Sequence, residues 1–98
     1  MRRLAIATVL IVCAVSGVPA VAADGKAVYT KNCAPCHRVM SPKVGDSKAW
    51  APLAAQGADA LTAVAVKGKG AMPPKGGKPA LTTDDVKAAV EYMLSQSK

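Results

Sequence analysis

Cys33-Ala34-Pro35-Cys36-His37 places two thiols and an imidazole within five consecutive residues, and His37 is the one histidine of the 98-residue chain. Two thiols separated by two residues reach the two vinyl groups of a single porphyrin and become thioethers, while the imidazole that follows directly lands beneath the iron. The pattern reads as covalent attachment of one haem c through Cys33 and Cys36, with His37 as the proximal iron ligand. The other uses of such a pair fit less well. A structural zinc site needs four protein ligands, and the remaining cysteine, Cys13, lies in a segment read below as cleaved. A thioredoxin-like redox pair expects a strand–turn–helix setting, and no strand run follows. A structural disulfide leaves His37 without a role.

The elements that must carry these groups are helices and loops. Asp24 is placed to cap a first helix, on which Gly25, Tyr29 and Cys33 recur every four residues and share one face. Gly25 serves either as a flexible start or as a point of close approach for another helix. Residues 38–46 read as a polar connector. Within it the Pro42 region either offers a backbone carbonyl to the second ring nitrogen of His37 or merely shapes the loop. Trp50 packs on a haem edge with its indole N–H toward a propionate, or is a plain core tryptophan. From Asp59 to Lys67, Leu61, Val64 and Ala65 follow helical spacing, and Gly68 closes the run.

Residues 67–78 hold four Gly, two Pro and four Lys without periodicity. That composition suits a linker, but glycines also let backbone approach a flat ligand, and Pro73-Pro74 stiffen the chain just after Met72. Thr82 with Asp85 predicts a capping box. Val86, Ala89, Val90, Met93 and Leu94 then mark the apolar stripe of a last helix, with Ser95 to Lys98 expected to fray.

The N-terminus reads as a cleaved secretory signal peptide, residues 1–23: Arg2 and Arg3 precede an apolar run from Leu4 to Val15, and Ser16, Gly17 and Pro19 break it before small residues. Cleavage after Ala22 or Ala23 satisfies the small-residue rule, and the alternative is an uncleaved membrane anchor. Residues 24–98 then form one haem-binding domain with no Phe, one Trp and two Tyr. So small a core needs a staple, which a porphyrin supplies, and the apoprotein is expected to be largely unfolded. Charge narrows the partners. Thirteen Lys and Arg against six Asp and Glu give +7, and without Arg2 and Arg3 eleven against six leave +5. With neither an aromatic platform nor a basic helix, nucleic acid is excluded as a partner. An acidic redox protein, a respiratory membrane complex or weak contact with an anionic membrane surface suits the charge.

In this order the features resemble the class I c-type cytochromes, and more narrowly the cytochrome c5 group. The likeness spans nearly all of residues 24–98: Gly25 and Tyr29 ahead of the Cys33–His37 motif, Pro42-Lys43-Val44-Gly45-Asp46, Ala49-Trp50-Ala51-Pro52, Lys67 through Gly77, and Ala89-Val90-Glu91-Tyr92-Met93. It implies an all-α bundle of three to four helices around the haem, whose first and last helices cross near their ends. It implies His37 and Met72 on opposite faces of the iron, and a monomeric single-electron carrier, not an enzyme, in the bacterial periplasm. The chain departs from the family in one place. Relatives usually carry glycines soon after the histidine and a longer loop before the proline, whereas Met40 stands here. The shortened loop weighs against Pro42 as the carbonyl acceptor.

The choice of Met72 also follows from reach. Met1 leaves with the signal peptide and Met93 lies on the apolar stripe. Met40 is three residues past His37, a span of at most about 11 Å, too short to round a porphyrin rim. The competing function is an open-site haem protein with peroxidase or gas-binding activity. It requires a vacant iron position and a polar partner near it, and the one histidine is already used while the Met72 loop offers no arginine.

Overall fold

The computed structural model describes residues 23–98. Asp24 opens helix α1, Gly25–Val28, its carboxylate accepting from the Ala27 amide at 3.3 Å. The backbone continues without a break through one π turn, Tyr29–Cys33, into α2, Ala34–His37. In the π turn the Ala34 amide donates to the Tyr29 carbonyl, five positions back rather than four. This changes the face expected from four-residue spacing. Tyr29 is buried, but the next residue on its side is Ala34, 1% exposed, and Cys33 is rotated away to a half-buried position.

Helix α3 spans Ser47–Gln56, capped by the Asp46 carboxylate on the Ala49 amide. Sequence reading sees only a tryptophan-bearing segment there, because Pro52 lies inside the helix and argues against one. Gly57 alone, at φ 88°, separates α3 from α4, Ala58–Lys67, which stops at Gly68 with φ 85° as its spacing predicts. A single 3₁₀ turn, Pro74–Gly77, precedes α5, Thr83–Gln96. Counting the continuous α1–α2 segment as one, these are four helices with no strand among the described residues, the all-α class expected.

The capping box of α5 forms as predicted: the Asp85 amide donates to Thr82 Oγ1 at 3.1 Å, and the Thr82 amide donates to the Asp85 carboxylate at 2.9 Å. Its stripe is the centre of the core, with Val86, Ala89, Val90 and Met93 buried alongside Tyr29, Ala34 and Trp50. The first and last helices cross at Gly25. A Cβ placed there would come within 2.8 Å of the Ala88 carbonyl carbon and 3.3 Å of Tyr92 Cβ, so Gly25 is a point of close approach. One turn further on, the Tyr29 and Tyr92 rings meet with centroids 5.3 Å apart and planes tilted by 42°. No helix among the described residues is long and apolar enough to cross a membrane. The expected signal peptide lies outside the described residues apart from Ala23.

Candidate haem and axial-ligand site

The two thiols and the imidazole lie at the end of the continuous first helix, with Cys33 closing the turn that widens it and Cys36 and His37 just beyond. Cys36 is exposed and Cys33 half-buried, and neither is in a disulfide. Burial raises the Cys33 thiol above its ordinary pKa, and the neighbouring Cys36 adds to the shift. Asn32 and Thr30 turn their side chains back on the helix, donating to the Val28 and Lys26 carbonyls at 2.9 and 2.7 Å. Side chains of the widened turn are thereby tied to carbonyls of α1 just ahead of it.

His37 is fixed at three places. Its Nδ1 is 2.9 Å from the Pro42 carbonyl oxygen. A carbonyl only accepts, so Nδ1 carries a proton, and in the neutral ring the lone pair is then on Nε2, the form in which imidazole binds a metal. Its own carbonyl accepts from the Val44 amide at 2.9 Å. Its ring stands 6.4 Å from that of Trp50, at an interplanar angle of 55°. The short connector therefore supplies the Pro42 acceptor after all. The chain turns back soon enough because the Met40 amide closes onto the Cys36 carbonyl at 2.7 Å.

Trp50 takes the plainer of its two expected roles. It is 4% exposed and its indole N–H donates to the Lys43 carbonyl at 2.8 Å, so that donor is engaged by backbone. A further tie is not visible in the sequence. The Gly45 amide donates to Ser97 Oγ at 2.9 Å, and Ser97, expected to fray, is buried at 4% exposure. Gly45 does signal a turn, with φ 93°, but nothing in the sequence pairs a turn with a serine 52 positions away.

Met72 is half-buried on a tight reversal in which Lys69 and Met72 exchange both backbone hydrogen bonds, at 2.9 and 3.0 Å. Gly68 is pressed against the far side of this reversal: a Cβ on it would lie 2.8 Å from the Pro74 nitrogen and 2.9 Å from the Met72 carbonyl oxygen. The segment is ordered by its own backbone and is no linker. The turn that follows approaches the motif, since a Cβ on Gly76 would stand 3.7 Å from the carbonyl oxygen of Asn32, beside Cys33. Met40, by contrast, is 52% exposed, next to Val39 at 68%.

These donors suit a covalently held haem. Two thiols lie one helical turn apart, one imidazole is set in its metal-binding tautomer, and half-buried Leu53, Leu61, Val66 and Leu81 offer apolar contact at the border of a small core. Among the described residues no group of three or more His, Cys, Asp and Glu converges as a metal site, so the cysteines have no companions for a four-ligand zinc centre.

Comparison with known proteins agrees. Residues 20–93 match the family model described as cytochrome c oxidase, cbb3-type, subunit III. Cytochrome c-555 of Chlorobaculum thiosulfatiphilum is 50% identical over 84 residues, covering 79% of this chain and 98% of that protein. Cytochrome c5 of Azotobacter vinelandii is 42% identical over 77 residues, covering 74% and 93% respectively. Among solved structures, a chain from an electron transfer complex of nitrite reductase with cytochrome c superposes with a TM-score of 0.73 at 47% identity. That match covers 76% of this chain and 95% of the other.

Proposed function

The chain belongs to the class I c-type cytochromes, electron-transferring proteins with one haem c held through a cysteine pair, and from that premise we propose that His37 and Met72 are its axial ligands in a periplasmic one-electron carrier. The observation that carries this reading is the bond from His37 Nδ1 to the Pro42 carbonyl, which leaves Nε2 as the free donor. Cys33 and Cys36 hold the group by thioethers. Bound there, haem supplies a one-electron ferric/ferrous couple. The residues of the chain set its poise: the soft Met72 thioether favours the ferrous state and raises the potential. With His37 and Met72 both holding the iron, no position would remain for a substrate, which would separate a carrier from a peroxidase or gas binder.

Export follows from the reading of residues 1–23 as a signal peptide, with residues 24–98 as the mature haem domain. The partners are read as transient and acidic. Lys67, Lys69 and Lys78 are exposed around the Met72 loop and Lys75 is half-buried beside them, a cationic rim suited to steering an acidic redox protein. A similar cytochrome c captured in complex with nitrite reductase supports brief docking on a larger redox protein.

Replacing Met72 tests the ligand set. Met72→Ala should abolish the weak absorption toward the red end of the oxidised spectrum, open the iron to cyanide and lower the reduction potential. Met40→Ala should leave all three nearly unchanged. The reverse pattern overturns the assignment.

A further inference from the structure

We propose that Ser97 is a positioning residue for the His37 imidazole, acting through the backbone of residues 42–45; the proposal rests on reading His37 as an iron ligand. Those four residues belong to no helix or strand, so no regular ladder of hydrogen bonds holds them. Each is nevertheless tied at a single group, and the Lys43 carbonyl also accepts from the Asp46 amide at 3.1 Å. The Pro42 carbonyl accepts from the His37 ring, the Lys43 carbonyl from the Trp50 indole, the Val44 amide donates to the His37 carbonyl, and the Gly45 amide donates to Ser97 Oγ.

The first three ties are short in sequence, spanning five to seven positions and joining the segment to the helices directly before and after it. The fourth differs in kind. It spans 52 positions, and among the described residues no other side-chain hydrogen bond apart from the Lys87–Asp59 ion pair links parts of the chain more than seven positions apart. Ser97 sits just past α5, its amide bonded to the Leu94 carbonyl at 3.2 Å and its side chain buried. Through it the helix that packs against α1 also anchors the acceptor of the histidine.

Gly45 is suited to this tie by conformation. Its φ of 93° lies in the left-handed region, and no atom lies within 4 Å of where a Cβ would stand, so glycine is needed for the turn and not for space. Pro42 has its own φ locked by the ring. That removes one of the torsions through which a displacement of Lys43 to Gly45 could be absorbed before it reaches the Pro42 carbonyl. A carbonyl held firmly on Nδ1–H makes the imidazole a more basic ligand, which favours the ferric state. Loosening it should raise the potential.

The test uses the reduced, haem-loaded protein with nitrogen-15 labelling. Ser97→Ala should speed exchange of the His37 Nδ1 proton about tenfold, the equivalent of one ordinary hydrogen bond, and shift the reduction potential upward. Ser97→Thr should restore both. Gly45→Ala, which disturbs the same tie from its other end, should reproduce both changes. Ser95→Ala should produce neither, since that hydroxyl donates to the Tyr92 carbonyl of its own helix, at 2.6 Å. Throughout, exchange at the Ala89 and Val90 amides of the core should stay as in the parent protein.

Three results would overturn the proposal. A Gly45 amide that accelerates while the ring proton and the potential do not would mean that the tie stops short of the histidine. Equal acceleration at Ala89 and Val90 would reduce Ser97 to a general contribution to stability. An imidazole that is not iron-bound would remove the ligand reading beneath it, and this is seen in the parent protein before any variant is made.

Discussion

The crossing of α1 with α5 and the two loops at residues 38–46 and 67–78 are held together by different means. At the crossing, side chains do the packing. Glycine lets two backbones touch, two tyrosine rings meet, and four residues of the α5 stripe are buried. In the loops hardly any side chain is buried. Their order comes from backbone groups bonded at single points: the Lys69–Met72 reversal, the His37–Pro42 bond and the Gly45–Ser97 bond. The difference teaches how so small a chain divides its labour. One region supplies hydrophobic stability, and the other gives up side-chain burial, which suits a family whose members complete their core with a large apolar cofactor.

If this division holds, the largest effect comes from the cofactor side. A Cys33→Ser, Cys36→Ser double variant should lose haem staining after denaturing electrophoresis. It should also lose most of its helical circular dichroism, because the seven buried hydrophobic residues among those described are too few to hold a domain of this size without a staple. A haem-free variant that kept its helical signal and a cooperative melt would show that the crossing suffices alone, and the comparison would fail.

Next in size is a change at the crossing. Gly25→Val drives a branched side chain into the Ala88 carbonyl, which is backbone and cannot swing aside. Overpacking of this kind costs about 1 to 3 kcal/mol and occasionally more, and the upper end is expected here. Denaturant unfolding should report that loss while the red-end absorption of the residual folded protein persists. Loss of that absorption at mild denaturant, before the helices melt, would mean that the two regions are less separable than their contacts indicate.

The same contrast explains what is legible in the sequence. The α5 stripe and its capping box can be read because helical periodicity and a local polar pair encode them within a single helix. Cys33, Cys36 and His37 stand out as candidates because haem attachment needs those types at that spacing. The π turn cannot, since one extra residue in a hydrogen-bonded turn leaves no mark in composition. It moves Ala34, and not Cys33, onto the face of Tyr29. Helix α3 is hidden by Pro52. Loop length argues against the Pro42 bond, whereas the outcome depends on the tight closure at Met40. Ser97 reads as part of a fraying end because its partner is a backbone amide on a distant loop, and pairs of that kind carry no local signature.

The smallest expected effect sharpens the comparison from the opposite end. Thr82 lies at the start of α5, where its hydroxyl accepts from the Asp85 amide and its own amide donates to the Asp85 carboxylate. Neither group touches the loops that bear the site. Thr82→Ala removes the hydroxyl half of the box and leaves the Asp85 amide to solvent, a loss of about 1 kcal/mol. For a domain of this length that lowers the melting temperature by roughly 4 to 8 °C. Thr82→Ser should recover most of it, because a serine hydroxyl caps at least as well. The reduction potential and the red-end absorption should be the same in the parent protein and both variants. The cap supports the helix that anchors Ser97, yet α5 is held along its length by Val86, Ala89, Val90 and Met93, so fraying at its first turn should not travel to its last. A potential that moved in step with the melting temperature across the parent, Thr82→Ser and Thr82→Ala proteins would show that stability and ligand geometry are one property here, and the separation of the two regions would not stand.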